Sequence, residues 1–281
     1  MGAIFSCVAH CESRIKSGLL YEIGLLTRRA LQHIGSIVWL LLNMLEEIGD
    51  NVRRGRSPFR LSMLFAQTDR TGVGSIPLVL MVSFFLGLTM ALLTGYQLEK
   101  FGTERLVPTL ISIAFTRELG PLLTGIVLAA RIGAAYTAEL GTMQVSEEVE
   151  AIEAMGIGPL RFLVAPRLVA ITFLTPCLSV LSCLAAIIGS ALVSWALLNL
   201  VPDAYFDAVM TSLIISDIVI GLFKAMFFGL LIGLIACYQG LTVTGGAEGV
   251  GKATTDSVVI SITTVIAFDT LFNIMATRVT G

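Results

Sequence analysis

The sequence predicts an all-α integral membrane protein of five transmembrane helices, preceded by an amphipathic interfacial helix, with the N-terminus cytosolic. Three observations carry that reading. Of 281 residues, 56% are hydrophobic and only 14% charged, against about 25% charged in an average soluble domain. Five apolar runs are each long enough for a hydrocarbon core that takes roughly 20 helical residues to cross. The basic residues are uneven: nine of eighteen precede residue 74. With a mean hydropathy of +0.89, two parts follow: an N-terminal cytosolic segment, 1–70, and a five-span domain, 71–281.

Composition also excludes function classes. A formal net charge of −2 offers no electrostatic footprint for nucleic acid. The five cysteines (Cys7, Cys11, Cys177, Cys183 and Cys237) form no CxxC and no metal-ligand cluster with His10 or His33. An odd, scattered set argues against a disulfide framework. Cys7 and Cys11 read as reduced thiols of a cytosolic end, with lipidation as the alternative. Glu12, Arg14, Lys16, Glu22, Arg28 and Arg29 interrupt any secretory signal in the first 30 residues.

Within 1–70, residues 19–48 place Leu, Ile and Trp at helical spacing. Their uncharged core, 30–45, is short for a span, so the reading is an amphipathic helix lying in the interface; a true span is the alternative. Arg53, Arg54, Arg56 and Arg60 follow, and belong at lipid headgroups. The apolar runs are 74–98, 106–130, 162–200, 213–238 and 257–276. In lipid each can satisfy its backbone only as a helix. The 199–212 loop has no Lys or Arg, whereas Arg131, Arg161 and Arg167 border the 131–167 loop. Positive-inside counting then puts the 131–161 and 239–256 loops in the cytosol and the C-terminus outside.

Four ionisable residues fall inside the runs. Arg117 and Glu118 lie about ten residues into the second from its outer end, Lys224 about ten into the fourth, and Asp269 about eight from the outer end of the fifth. Buried charges in a membrane are paired or face a cavity. The four sum to zero, which predicts one network in the outer half of the bundle. It either borders a cavity or serves only to lock the helices. Asp217, nearer the surface, reads as solvated.

In the loop after the second run, Ser146, Glu147, Glu148, Glu150 and Glu153 are interleaved with Val145, Val149, Ile152 and Met155. The spacing predicts a short acidic amphipathic helix, about 145–156, with Ser146 as N-cap. Gly156, Gly158 and Pro159 end it. The alternatives are a solvated loop helix and a helix docked in a partner's groove. Residues 246–252, GAEGVGK, fit G-x-x-x-x-G-K, but Ala253 stands where a magnesium-binding Ser or Thr belongs, and no strand precedes them. They predict a tight turn rather than a nucleotide site, with Thr254, Thr255 and Asp256 capping the fifth span. No other such motif occurs, so any nucleotide is hydrolysed elsewhere.

At RELGP (117–121), ARIGAAYTAELGTMQVSEEVEAIEAMGI (130–157) and CYQGLTVTGGAEGVGKATTDSVV (237–259), the chain resembles an MlaE/YrbE-type permease, the transmembrane subunit of MCE-associated ABC lipid transporters. The resemblance covers about residues 60–276. It implies a homodimer, a cytosolic ABC ATPase that holds the ATP and magnesium, a periplasmic MCE-domain protein and a small STAS-type protein. The substrate would be phospholipid, and the place a bacterial inner membrane. The resemblance implies no cofactor on this chain and no enzymatic activity of its own. Ser146, Glu147, Glu148, Val149, Glu150, Ile152, Glu153 and Met155 would form the coupling helix to the ATPase. Arg117, Glu118, Lys224 and Asp269 match charged positions near the lipid cavity, and by position Leu93, Tyr96, Gln97 and Phe101 would line it. From the residues alone, the first span supplies an apolar wall (Phe84, Phe85, Leu86, Leu88, Met90, Leu92, Leu93) suited to acyl tails.

Two readings from other classes compete. An ion-coupled secondary transporter would use the buried charges as a relay, and an inverted repeat would support it, but five spans do not divide evenly. An intramembrane enzyme lacks a HExxH or GxSxG motif.

Overall fold

The computed structural model describes residues 67–280 except 157 and 199, together with residues 35, 36, 39, 40, 42, 43 and 46. The chain divides into two units, Met1–Gly49 and Asp50–Gly281. In the first, the described positions are helical, with Trp39 and Leu42 exposed and Leu40 buried. The rest of the expected interfacial helix, and the headgroup contacts of Arg53, Arg54, Arg56 and Arg60, lie outside the described residues.

Among its described residues the second unit consists of helices joined by short turns, with no strand. We number α1 Thr71–Glu99, α2 Glu104–Val145, α3 Glu148–Ala154, α4 Leu160–Leu198, α5 Pro202–Ser212, α6 Ile215–Leu241 and α7 Gly246–Thr280. Helices α1, α2, α4, α6 and α7 are long and apolar enough to cross a membrane, which meets the expectation of five spans. Large apolar side chains project outward from every one of them, including Met81, Leu110, Phe173, Phe223 and Ile266. An apolar surface that extensive suits lipid rather than water.

The helices run alternately up and down. One end of the bundle carries α3 and the α6–α7 turn; the other carries the α1–α2 connection and α5. Helix α1 buries Ser75, Val79, Ser83, Gly87, Ala91 and Gly95, every fourth residue, as one stripe. Small side chains at that spacing let two backbones approach closely without hydrophobic drive. The stripe packs on α4, where the Ser83 and Ser182 hydroxyls lie 2.7 Å apart. Among the described residues, three apolar clusters fill the bundle, the smallest being Ile187, Tyr205 and Val209 where α5 meets α4. One gathers Leu128, Ile132, Tyr136, Ile171, Phe228, Ile232 and Val265 from α2, α4, α6 and α7. Another gathers Ala91, Val107, Ile111, Phe115, Ala186 and Val193 from α1, α2 and α4.

Several boundaries differ from those read in the sequence. The second span does not stop at 130. Helix α2 continues through the small-residue stretch to Val145, and Thr137 bonds Ser257 at 2.8 Å. An added Cβ on Gly141 would lie 2.9 Å from Val243, so the small residues do permit close packing there. The 199–212 loop contains the helix α5, whose Tyr205 hydroxyl meets Ser190 in α4. A sequence reading based on span polarity has no term for so short an element. The fifth span begins eleven residues early, at Gly246. The turn before it ends on Gly245 and Gly246, both at positive φ. Residues 246–252 are therefore helical rather than a turn. Thr254 and Thr255 do not cap; their hydroxyls bond back to the Val250 and Gly251 carbonyls inside α7.

Candidate functional site

The charges meet where α2, α6 and α7 converge. Helix α2 reaches that level through a π-helical turn, Phe115–Leu119. The cause is local: Pro121 has no N–H to donate to the turn before it, and the Gly120 N–H reaches back to the Phe115 carbonyl instead. The Cys183 thiol from α4 donates to the same carbonyl at 3.4 Å. Gly221 lets α6 come up against the carbonyl of the buried Thr116. The widened turn, of a kind often found at functional sites, sets Glu118 facing Lys224.

Lys224 is 2% exposed. Its ammonium faces three oxygens: Asp269 Oδ1 at 2.7 Å, Glu118 Oε2 at 2.9 Å and Asn273 Oδ1 at 3.1 Å. An ammonium has three donors, so its capacity is filled. The Asn273 amide donates to Glu118 Oε1 and, at 3.4 Å, to Asp269 Oδ2. Beside this cluster, Phe223, Phe227, Phe268 and Phe272 interlock edge-to-face along the α6–α7 seam, with centroids 5.3–6.4 Å apart. The rings cover the seam with apolar surface, while the Glu118 side chain keeps 29% exposure.

Arg117 does not join this cluster, contrary to the single network expected. Adjacent helical residues point about 100° apart, so Arg117 and Glu118 cannot both face Lys224. Arg117 instead pairs at 3.8 Å with Asp217, whose side chain is 13% exposed. Asp217, expected to be solvated, is thus a partner, two turns from Lys224 on the same face of α6. The neutral sum fails with it: three carboxylates share two cations, and the Lys224 cluster itself carries two carboxylates on one ammonium. Asn273 escaped the sequence reading because an uncharged amide draws no attention in a span. The available signal was its position four residues after Asp269, one turn away on the same face.

The residues expected to line a lipid cavity sit elsewhere. Leu93, Tyr96, Gln97 and Phe101 are all exposed. They lie on or just beyond α1, whose partners are α4 and the first half of α2 rather than α6 or α7. The Lys100 ammonium stands 4.4 Å over the Tyr96 ring. Within one chain these four and the Lys224 cluster are not brought together.

At the opposite end lies the acidic helix α3. Its N-cap is Glu147, not Ser146. Ser146 closes α2 instead, its hydroxyl bonding back to the Thr142 carbonyl at 2.8 Å. Glu147 adopts left-handed backbone, φ +60°, and that kink breaks helical phase between α2 and α3. The apolar stripe is therefore shorter than expected: Val149 is buried and Ile152 half-buried, but Val145 and Met155 are exposed. Ser146, Glu147, Glu148, Glu150 and Glu153 are exposed as well. Nearby, Arg167 pairs with Glu139 at 3.2 Å and packs over Tyr136. Residues 246–252 form no phosphate cradle, because their backbone belongs to the first turns of α7.

Comparison with known proteins agrees with this architecture. The family described as Permease MlaE matches residues 64–275. A probable ABC transporter permease protein of Rickettsia typhi is 37% identical over 73% of this chain and 79% of its own. The chloroplastic protein trigalactosyldiacylglycerol 1 of Arabidopsis thaliana is 36% identical over 72% of this chain and 58% of its own. A probable ABC transporter permease protein of Synechocystis is 34% identical over 70% of this chain and 74% of its own. The matched region takes in all five spans, the charge cluster and the acidic helix, and the chain belongs to the MlaE permease family of ABC transporter permeases.

Proposed function

We propose that this chain is the permease subunit of an ABC transporter that moves phospholipid between a bacterial inner membrane and a periplasmic MCE-domain protein, serving outer-membrane lipid homeostasis. The observation that carries the reading is the match to ABC permeases across all five spans. ATP and magnesium then belong to a separate cytosolic ATPase, and this chain has no catalysis of its own. The Arabidopsis relative is named for a glycolipid, trigalactosyldiacylglycerol, which favours a two-tailed lipid as cargo. Two copies of the chain work together, and a small STAS-type protein accompanies the ATPase.

The parts divide the work. Helix α3, with three exposed glutamates and a fourth, Glu147, at its N-cap, is the coupling helix that enters a groove of the ATPase. The exposed apolar face of α1 near Leu93, Tyr96, Gln97 and Phe101 offers acyl tails a wall. The Lys224–Glu118–Asp269 cluster and the Arg117–Asp217 pair offer a headgroup its polar contacts. The ion-coupled alternative finds no support among relatives that are ABC permeases.

The test is reconstitution of the full complex with labelled phospholipid on one side. The expected result is lipid movement that needs ATP and is lost when 146–155 is replaced by a neutral linker. Movement that persists without nucleotide and follows an ion gradient would sink the reading.

A further inference from the structure

Two carboxylates held against one ammonium pose a problem that the ammonium alone does not solve. Lys224 reaches one oxygen of each acid, Glu118 Oε2 and Asp269 Oδ1. The other oxygen of each is left without the ammonium and beside a second negative group. Asn273 occupies that gap. One amide N–H goes to Glu118 Oε1, the other to Asp269 Oδ2, and the amide oxygen accepts from Lys224. Three of the four carboxylate oxygens then accept a hydrogen bond, and the fourth, Asp269 Oδ1, is held 2.7 Å from the ammonium as an ion pair. No other neutral side chain of that size supplies two donors and an acceptor.

We infer that Asn273 is the positioning residue of the cluster: its amide lets Glu118 and Asp269, from α2 and α7, share the single Lys224 ammonium of α6. Without it, the two carboxylates are left with unmet lone pairs and mutual repulsion, and α7 is pushed from α2. The residue acts through Glu118, Asp269 and Lys224 rather than on lipid directly. The inference about Asn273 rests on the geometry; its link to lipid movement rests on the transport function proposed above.

The amide role is separable from a packing role because Asp and Asn have the same shape. Asn273→Asp keeps the volume, removes both donors and adds a third carboxylate. Asn273→Gln keeps the donors on a longer arm. The full complex is purified with each variant, and two quantities are read: the thermal midpoint, and ATP-driven lipid movement after reconstitution. Asn273→Leu keeps the bulk without any donor; the expected order for both is wild type, then Asn273→Gln, then Asn273→Leu, with Asn273→Asp lowest and lipid movement down at least tenfold. Adding Asp269→Asn to Asn273→Asp removes one negative charge and is expected to restore the midpoint at least halfway. An Asn273→Asp complex that melts and transports like wild type overturns the inference, as does failure of Asp269→Asn to rescue the midpoint. Loss of midpoint with rescue, but with lipid movement unchanged throughout, upholds the positioning role and counts against the cluster's part in transport.

Discussion

Gly87 offers a test of how α1 is held. Ideal geometry puts an added Cβ there 2.6 Å from the Ala186 Cα and 2.7 Å from its carbonyl carbon. These are backbone atoms of α4, so no side chain can turn aside. Ordinary contact starts near 3.4 Å, and the helices must part by about 1 Å, a gap that forfeits a quarter to a half of the dispersion well along the seam. The Ser83–Ser182 hydrogen bond, now 2.7 Å, stretches out of range and costs about 1 kcal/mol. Overpacking of this kind adds ~1–3 kcal/mol. Gly87→Ala is therefore expected to destabilise by about 3 kcal/mol, roughly a hundredfold in the folding equilibrium. Gly125→Ala is the control: its added Cβ meets Val265 at 3.4 Å and Phe228 at 3.5 Å, and helix propensity favours Ala by about 1 kcal/mol. The assay is the unfolding midpoint of the purified complex, with disulfide formation between Ser83→Cys and Ser182→Cys as a distance probe. If Gly87→Ala unfolds within ~0.5 kcal/mol of wild type and cross-links at the wild-type rate, the close-approach argument is wrong.

Other expectations follow from the same geometry. Lys224→Met strands two carboxylates and is expected to cost about 3–5 kcal/mol; adding Glu118→Gln and Asp269→Asn should recover most of the midpoint but not lipid movement. Replacing Glu147 or Glu150 with Lys is expected to weaken ATPase binding by tenfold or more in a pull-down titration, with the unfolding midpoint of the isolated permease unchanged. Tyr205→Phe removes the hydroxyl contact with Ser190, and about 1 kcal/mol is expected to be lost. Burial raises the Tyr205 pKa above its ordinary value. The folded state thus holds the proton longer, so the contribution is constant below about pH 10 and falls as pH rises through the ordinary tyrosine value. A melting series into alkali should show that fall in wild type and a shallower one in Tyr205→Phe.

The five spans and the acidic loop helix were legible because each depends on local composition. Hydrocarbon requires an unbroken apolar run and a backbone that bonds to itself, and both conditions are visible residue by residue. Charge in such a run is equally visible, which is why Glu118, Lys224 and Asp269 stood out. The motif at 130–157 carried the family for the same reason, being contiguous. The limits of these readings are also local. Ser146 looked like an N-cap because residue type was right, but left-handed Glu147 makes it the C-cap of the preceding helix.

Partnership was the tertiary structure's decision. Which carboxylate meets Lys224 depends on the rotation of three helices about their axes, and a one-residue change of phase, such as the π turn before Pro121, redirects every side chain beyond it. Arg117 went to Asp217 because it points about 100° away from its neighbour Glu118, and the neutral network became two unequal ones. Asn273 became visible only when α7 was laid beside α2, since a neutral amide has no signature until its donors have oxygens to meet. Depth along a helix is a count, and the sequence alone determines it. Direction around a helix is set by packing across the bundle, where the every-fourth small residues of α1 and the touching backbones of α4 and α6 settle what faces what.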